Sequence, residues 1–335
     1  MAKAIGIVGA GGWGIALAKL LADKGETITV WCHRTETYRE LENTRESQSY
    51  LPGIVLPPKV KVTRSMEETA AAKELVILAV PSHVLREVVT VAAAWTSGQT
   101  IIVCAAKGLE QESLKTMADV LAEVFREAEK DRHAFLSGPT FALEVARGLP
   151  AAVTVAAYAE RVCKEVQETL STQSFRVYTS SDVIGVQMGG VVKNVIAIAA
   201  GISDGLGLGH NARAALITRG LAELTRLAVR MGADPMTLAG LPGLGDLVLT
   251  CAGDLSRNRK VGLQIAAGES IHDITGRTRT VAEGVLNTRS VYLLACRLGV
   301  EMPIVEQMYR VIYEGKKPSD AVRQLMQRSL KAEMI

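Results

Sequence analysis

Lys193 and Asn194 stand side by side in a run that is otherwise almost wholly small or apolar, Gly189 to Gly205, G-G-V-V-K-N-V-I-A-I-A-A-G-I-S-D-G. Read as a helix, Lys193 shares a face with Gly189, Gly190, Ile196, Ala197 and Ala200. A face that small lets a ligand or a second backbone come close, and an ammonium among such neighbours loses water. Desolvation lowers a lysine's pKa, which turns it into an acid or base usable near neutral pH. The same pattern also suits a helix-packing surface whose lysine reaches out to solvent, so the rest of the chain has to decide.

Four further groups of residues could do chemistry. Lys107, in A-A-K-G-L-E, follows a strand-like run, where open parallel sheets bind ligands. Ser137-Gly138-Pro139-Thr140 ends another such run and offers backbone N–H groups and a hydroxyl, or a helix cap. Asp246 ends the glycine-rich turn Gly240 to Gly245, where it either orients another group or caps a helix. Ser256-Arg257-Asn258-Arg259 places a hydroxyl, two guanidinium groups and an amide at a helix start, which suits a phosphate. Cations there oppose the helix dipole unless an anion visits.

Gly9, Gly11 and Gly14 fit G-x-G-x-x-G between a strand and a helix. The first glycine permits a tight turn, the second lets backbone N–H groups approach a pyrophosphate, and the third lets helix and strand pack closely. The next strand ends in Cys32-His33-Arg34, where an acidic residue would normally meet the ribose 2′-hydroxyl. An arginine there suits a 2′-phosphate, so NADP(H) is favoured; Glu36 nearby leaves NAD(H) as the second option.

The elements that must position these groups alternate in the first half. Strand patterns fall at residues 3–9, 27–32, 74–80, 100–105, 134–136, 152–155 and 176–178, the last two read as antiparallel candidates. A helix at residues 15–24, stopped by Gly25, completes the first βαβ unit. Beyond Ser180 the strand patterns stop, and helical patterns occupy residues 181–203, 211–231, 258–268, 279–298, 303–314 and 318–330. The expected architecture is α/β: an N-terminal Rossmann-type, doubly wound, mostly parallel sheet over residues 1–180, then an all-α substrate-binding and catalytic domain over residues 181–335.

Composition narrows the classes. The 335 residues are 48% hydrophobic and 22% charged, enough for folded cores; with aromatics at 4% those cores must be aliphatic. A net charge of +3 points to no nucleic-acid or membrane partner. No run of about 18 uninterrupted apolar residues occurs, and the N-terminus reads directly into a strand, so neither stable membrane insertion nor a leader is expected. Five scattered cysteines without a CxxC pattern, and five scattered histidines, suggest no disulfide and no metal site, which fits the cytoplasm.

Taken in order, GAGGWG, V-P-S-H-V-L-R, A-K-G-L-E, L-S-G-P-T-F-A-x-E-V-A, G-V-V-K-N-V-I-A-I-A-A-G-I-S-D-G, G-L-G-D-L-V-L-T-C and S-R-N-R resemble the bacterial NAD(P)-dependent sn-glycerol-3-phosphate dehydrogenases. The resemblance runs from the first strand to about Glu283. Two small departures are Ala106, where Ser or Thr is commoner, and Val191, where Ala or Thr is usual.

That resemblance implies reversible hydride transfer between NAD(P)H and dihydroxyacetone phosphate, supplying glycerol 3-phosphate to phospholipid synthesis. It implies that Lys193 is the acid/base and that Lys107 touches both substrate and cofactor. Gly138, Thr140, Asp246, Ser256, Arg257 and Asn258 fall on substrate positions. Gly12, Trp13, His33, Arg34, Ala142, Val281 and Glu283 fall on cofactor positions, where Gly9, Gly11, Gly14 and Arg257 are also expected. The partner is thus a small phosphorylated three-carbon compound, and a homodimer is expected. Two rivals share the plan: a reductase of another carbonyl substrate, and a non-catalytic NADP(H) sensor.

Overall fold

A computed structural model describes residues 2–277, 283–330 and 332–333. Eight strands form one sheet in the order β3-β2-β1-β4-β5-β6-β7-β8. They are β1 (Ala4–Val8), β2 (Thr27–Trp31), β3 (Lys61–Thr63), β4 (Leu75–Leu78), β5 (Ile101–Cys104), β6 (His133–Ser137), β7 (Ala151–Ala157) and β8 (Phe175–Ser180). The first six are parallel; β7 pairs antiparallel with β6, and β8 runs parallel to β7. Both late strands therefore run against the first six, as their sequences suggest. The three-residue β3, which has no sequence signal of its own, is held by pairing Val62 with Val30.

The central strands read as unbroken apolar runs because both faces are covered. Alternate residues of β4 go to opposite sides. Leu75 and Ile77 join a core with Ile15, Leu17, Val162 and Val166, from α1 (Gly12–Lys24) and α7 (Glu160–Leu170). Val76 and Leu78 join a second core with Met66, Leu85, Val89 and Leu121, from α3 (Met66–Ala70), α4 (Leu85–Ala93) and α5 (Met117–Phe125). The remaining helices of this half are α2 (Thr35–Thr44) and α6 (Ala142–Ala146). Strand order reverses at β1 and β4, so their carboxyl ends open a crevice of the kind that binds dinucleotides.

After Ser180 every described element is helical: α8 (Val183–Gly205), α9 (Gly209–Arg230), α10 (Pro235–Ala239), α11 (Asp246–Ala252), α12 (Arg257–Ala266), α13 (Ile271–Arg277), α14 (Glu283–Leu298), α15 (Pro303–Tyr313) and α16 (Pro318–Met326). Asp182 starts α8 by accepting a hydrogen bond from the Gly185 N–H at 2.7 Å. The helix is apolar all round because other helices surround it, and every residue from Gly185 to Ser203 is buried. Its length and apolarity would suffice to cross a membrane, yet 89% of its most apolar window is buried inside the protein.

Glycines let α8 serve as this hub. A Cβ on Gly189 would lie 2.2 Å from the Pro242 carbonyl oxygen, and one on Gly201 would lie 2.0 Å from that of Arg259. Facing it, a Cβ on Gly262 would sit 2.1 Å from the Ile198 carbonyl oxygen. Backbone therefore meets backbone along α8, and the side chains that remain between helices are confined to few orientations.

Candidate active site

The glycine turn behaves as its spacing requires. Gly9 has φ +119°, a left-handed region that side chains avoid, and a Cβ on Gly14 would stand 1.8 Å from the Gly9 carbonyl oxygen. Gly11 has no atom within 4 Å of its missing Cβ, and as the N-cap of α1 it supplies no side-chain cap. An open space thus faces uncapped N–H groups at the positive end of a helix, which suits a pyrophosphate. Gly12 lies beside Ala142, whose Cβ would be 3.8 Å from a Cβ on Gly12. Helix α6 also starts without a side-chain cap, so neither Ser137 nor Thr140 caps it. Trp13 packs its ring 6.4 Å from that of Phe175.

His33 and Arg34 are exposed just past β2, and Arg34 has no side-chain partner among the described residues. Arg64, exposed like Arg34, carries no motif signal in the sequence. The short β3 brings it to the same edge: the Cys32 N–H donates to the Thr63 carbonyl at 2.8 Å, and Trp31 Nε1 donates to the Arg64 carbonyl at 3.2 Å. Two exposed guanidinium groups therefore flank the place where an adenosine ribose ends in a Rossmann crevice.

At the junction of sheet and helices, one carboxylate gathers two ammonium groups. Lys193 Nζ donates to Asp246 Oδ1 at 2.5 Å, and Lys107 Nζ donates to Asp246 Oδ2 at 2.8 Å. Lys193 is 7% exposed and Asp246 1%. Burial lowers Lys193 to about 8; the Asp246 carboxylate opposes that fall and the Lys107 charge adds to it. Lys107 also donates to the Gly138 carbonyl at 3.0 Å, and Thr140 Oγ1 donates to the same oxygen at 3.3 Å. Gly190 is small where it must be, since a Cβ there would press on the Lys107 stem at 3.1 Å.

Thr250 completes this group and is not among the sequence candidates. Lys193 Nζ donates to its Oγ1 at 3.1 Å, while that hydroxyl donates to the Asp246 carbonyl at 2.6 Å. The spacing of four from Asp246 would have revealed it, had the short helix α11 been recognised.

The S-R-N-R start of α12 divides its residues among different tasks. Ser256 is the N-cap and accepts from the Arg259 N–H at 3.2 Å. Asn258 spends its side chain inside the protein: Nδ2 donates to Asn194 Oδ1 at 2.8 Å, and Oδ1 accepts from the Gly284 N–H at 3.0 Å. Arg257 is exposed, with no hydrogen-bond or ion-pair partner among the described residues. Glu283 opens α14 half-buried. Burial pushes its carboxyl above the usual range, and Arg257, Lys193 and Lys107 pull it back, so it shares their field. Val281 lies outside the described residues. The fold thus collects Lys107, Lys193, Asp246, Gly138, Thr140, Arg257 and Glu283 around one region, with the glycine turn, His33 and Arg34 along the sheet crevice.

A dinucleotide crevice opening onto a buried lysine–carboxylate pair defines a nicotinamide-dependent oxidoreductase with a Rossmann-type sheet and a helical second half. Comparison with known proteins narrows the class. Residues 4–163 match the NAD-dependent glycerol-3-phosphate dehydrogenase N-terminus and residues 182–323 its C-terminus. The chain belongs to the NAD-dependent glycerol-3-phosphate dehydrogenase family. It is 53% identical over 330 residues to glycerol-3-phosphate dehydrogenase [NAD(P)+] of Syntrophotalea carbinolica, covering 98% of this chain and 99% of that one. With the enzyme of the same name from Geobacter sulfurreducens it shares 51% over 333 residues, 99% of each chain. The crystal structure of glycerol-3-phosphate dehydrogenase from Coxiella burnetii superposes with a TM-score of 0.93 at 38% identity, covering 98% of this chain and 99% of that one.

Proposed function

We propose that this protein catalyses reversible hydride transfer between NAD(P)H and dihydroxyacetone phosphate, giving sn-glycerol 3-phosphate, with Lys193 as the acid/base. One observation carries the reading: a buried lysine brought to about 8 shares a single carboxylate with Lys107. The full-length relatives named above support the substrate.

The nicotinamide, when bound, supplies the hydride; the uncapped N-terminus of α1 and the open space at Gly11 fit its pyrophosphate. As the carbonyl of the substrate is reduced, negative charge grows on its oxygen. Lys193 Nζ gives that oxygen a proton, and in the reverse direction neutral Lys193 takes the proton of the hydroxyl. Burial makes either protonation state accessible. Lys107 adds a fixed positive field, and Asp246 keeps the two ammonium groups apart while aiming both. Thr250 holds Lys193 from a second direction. Arg257 and the free N–H groups of the first turn of α12 take the substrate phosphate. Asn258 contributes by fixing that turn, since its amide is already engaged.

Arg34 and Arg64 favour NADP(H), with NAD(H) as the alternative. In this reading residues 1–180 bind the dinucleotide, residues 181–335 bind the substrate, and the enzyme works as a cytoplasmic homodimer supplying phospholipid synthesis. The test is loss of reduced-nicotinamide absorbance with purified protein and dihydroxyacetone phosphate, using NADPH and NADH side by side. Oxidation that requires the phosphorylated ketone is expected. No oxidation with either coenzyme, from protein that binds NADPH, would turn the reading to another carbonyl substrate or to a sensor.

A further inference from the structure

The first turn of α12 carries two arginines, and the fold treats them differently. Arg257 is left exposed and without a partner among the described residues. Arg259 is tied down: its Nε donates to Asp204 Oδ2 at 2.8 Å, and its Nη1 to Asp254 Oδ1 at 3.0 Å. Arg213 of α9 donates Nη1 to the same Asp204 carboxylate at 3.2 and 3.3 Å, and its Nη2 meets His210 Nδ1 at 2.7 Å. Asp204, Arg213 and Arg259 are all partly buried, which makes these charge-assisted bonds worth more than fully exposed surface pairs.

The position of Asp204 gives the arrangement its consequence. It lies near the end of α8, about three helical turns beyond Lys193. Helices α8 and α12 run side by side in the same direction: Asn258 meets Asn194, Gly262 faces Ile198, and Gly205 faces Ala266. Their central contact is glycine backbone, which brings them close, with Val261 and Ile265 of α12 in the same core as Ile198 and Ile202 of α8. Two directional bonds add to the register. The Asn194–Asn258 amide pair is one, and the Asp204–Arg259 ion pair is the other.

We propose that Asp204, acting through Arg259, is a positioning residue that holds the phosphate-binding end of α12 in register with Lys193. It thereby sets the preference for a phosphorylated over an unphosphorylated three-carbon ketone. This rests on the reading of Arg257 as the phosphate ligand. Arg259 is engaged by Asp204 and Asp254, so it is the strut, and Arg257 is the hand.

The experiment compares dihydroxyacetone phosphate with dihydroxyacetone at saturating NADPH, for Asp204→Asn, Asp204→Glu, Arg259→Lys and Arg257→Ala in the full chain. Arg259→Lys keeps the charge but cannot bridge Asp204 and Asp254 together. For Asp204→Asn and Arg259→Lys the KM for the phosphorylated ketone should rise roughly three- to tenfold, as expected for one lost charge-assisted bond. Their kcat should stay within about twofold, and kcat/KM for dihydroxyacetone should not change. Asp204→Glu should recover part of the loss. Unchanged discrimination in either variant with a wild-type melting midpoint overturns the proposal, and so does an equal loss on both ketones. If Arg257→Ala erodes the discrimination while the strut variants do not, the proposal fails and the phosphate reading stands. If Arg257→Ala leaves it intact, the phosphate reading itself fails. Should one substitution prevent folding, the remaining strut variants decide.

Discussion

Asn194 Oδ1 accepts a hydrogen bond at 2.8 Å from Nδ2 of Asn258. Asn194 follows Lys193, the proposed acid/base, and Asn258 follows Arg257, the proposed phosphate ligand. The bond therefore ties the helix of one to the helix of the other, in a place where water does not compete. Its far side reaches Gly284, the residue after Glu283, through the 3.0 Å bond from the Gly284 N–H to Asn258 Oδ1. A side chain at 284 would collide with that oxygen, its Cβ only 2.7 Å away.

Asn258→Ala removes both bonds and strands a buried amide oxygen and a buried N–H. The expected result is about 1–3 kcal/mol less stability and a raised KM for dihydroxyacetone phosphate, with cofactor affinity little altered. Chemical denaturation and steady-state kinetics check it.

Asp246→Asn takes away the negative charge that supports Lys193 in its buried site. Burial and the Lys107 charge then act unopposed, so the Lys193 pKa moves below about 8. In the proposed role of Lys193, ketone reduction needs the protonated lysine, so the wild-type rate should fall as pH rises through about 8; alcohol oxidation needs the neutral lysine and should rise over the same range. In Asp246→Asn both limbs should shift to lower pH, and reduction near neutrality should drop by about 10²-fold or more. A pH–rate profile in both directions measures the shift.

Arg34 and Arg64 stand free at the edge of the sheet crevice. Replacing both by Ala should raise the KM for NADPH by roughly tenfold or more and leave that for NADH within about twofold, because only the 2′-phosphate offers them a partner. Parallel titration with the two coenzymes checks it.

Glu223 accepts the Ile304 N–H at 2.7 Å and the Val305 N–H at 3.2 Å, capping α15 from a fully enclosed position on α9. Burial raises its carboxyl to about 7 from 4.5, partly opposed by those two N–H groups. The folded protein thus holds this proton more tightly than the unfolded chain does. Its contribution to stability declines as pH rises from 4.5 to 7. Glu223→Ala should flatten that part of the pH–stability curve while costing about 1–3 kcal/mol for the two orphaned donors. Denaturation midpoints across that range test both effects.

Much of this was legible in the chain. The spacing of Gly9, Gly11 and Gly14 placed the glycine turn between β1 and α1, because backbone approach demands glycine there. The apolar run around Lys193 marked a buried lysine, because nothing else in that run is charged until Asp204. What escaped depends on pairing between distant segments. Arg64 reaches the edge beside Arg34 only through β3, a three-residue strand with no pattern of its own. Thr250 needed the seven-residue helix α11, which follows a turn rich in glycine. Asn258 looked like a free ligand, since its partners Asn194 and Gly284 lie on other helices, 64 and 26 residues away in sequence. Arg259 looked equivalent to Arg257 until α8 brought Asp204 beside it.

The most direct test of the account is single-turnover and steady-state reduction of dihydroxyacetone phosphate by Lys193→Ala, alongside its affinity for NADPH. Loss of the positioned acid should lower turnover by about 10²–10⁴-fold, with NADPH affinity and melting midpoint near those of the wild type. A folded variant that keeps more than about a tenth of wild-type turnover would contradict the role given to Lys193.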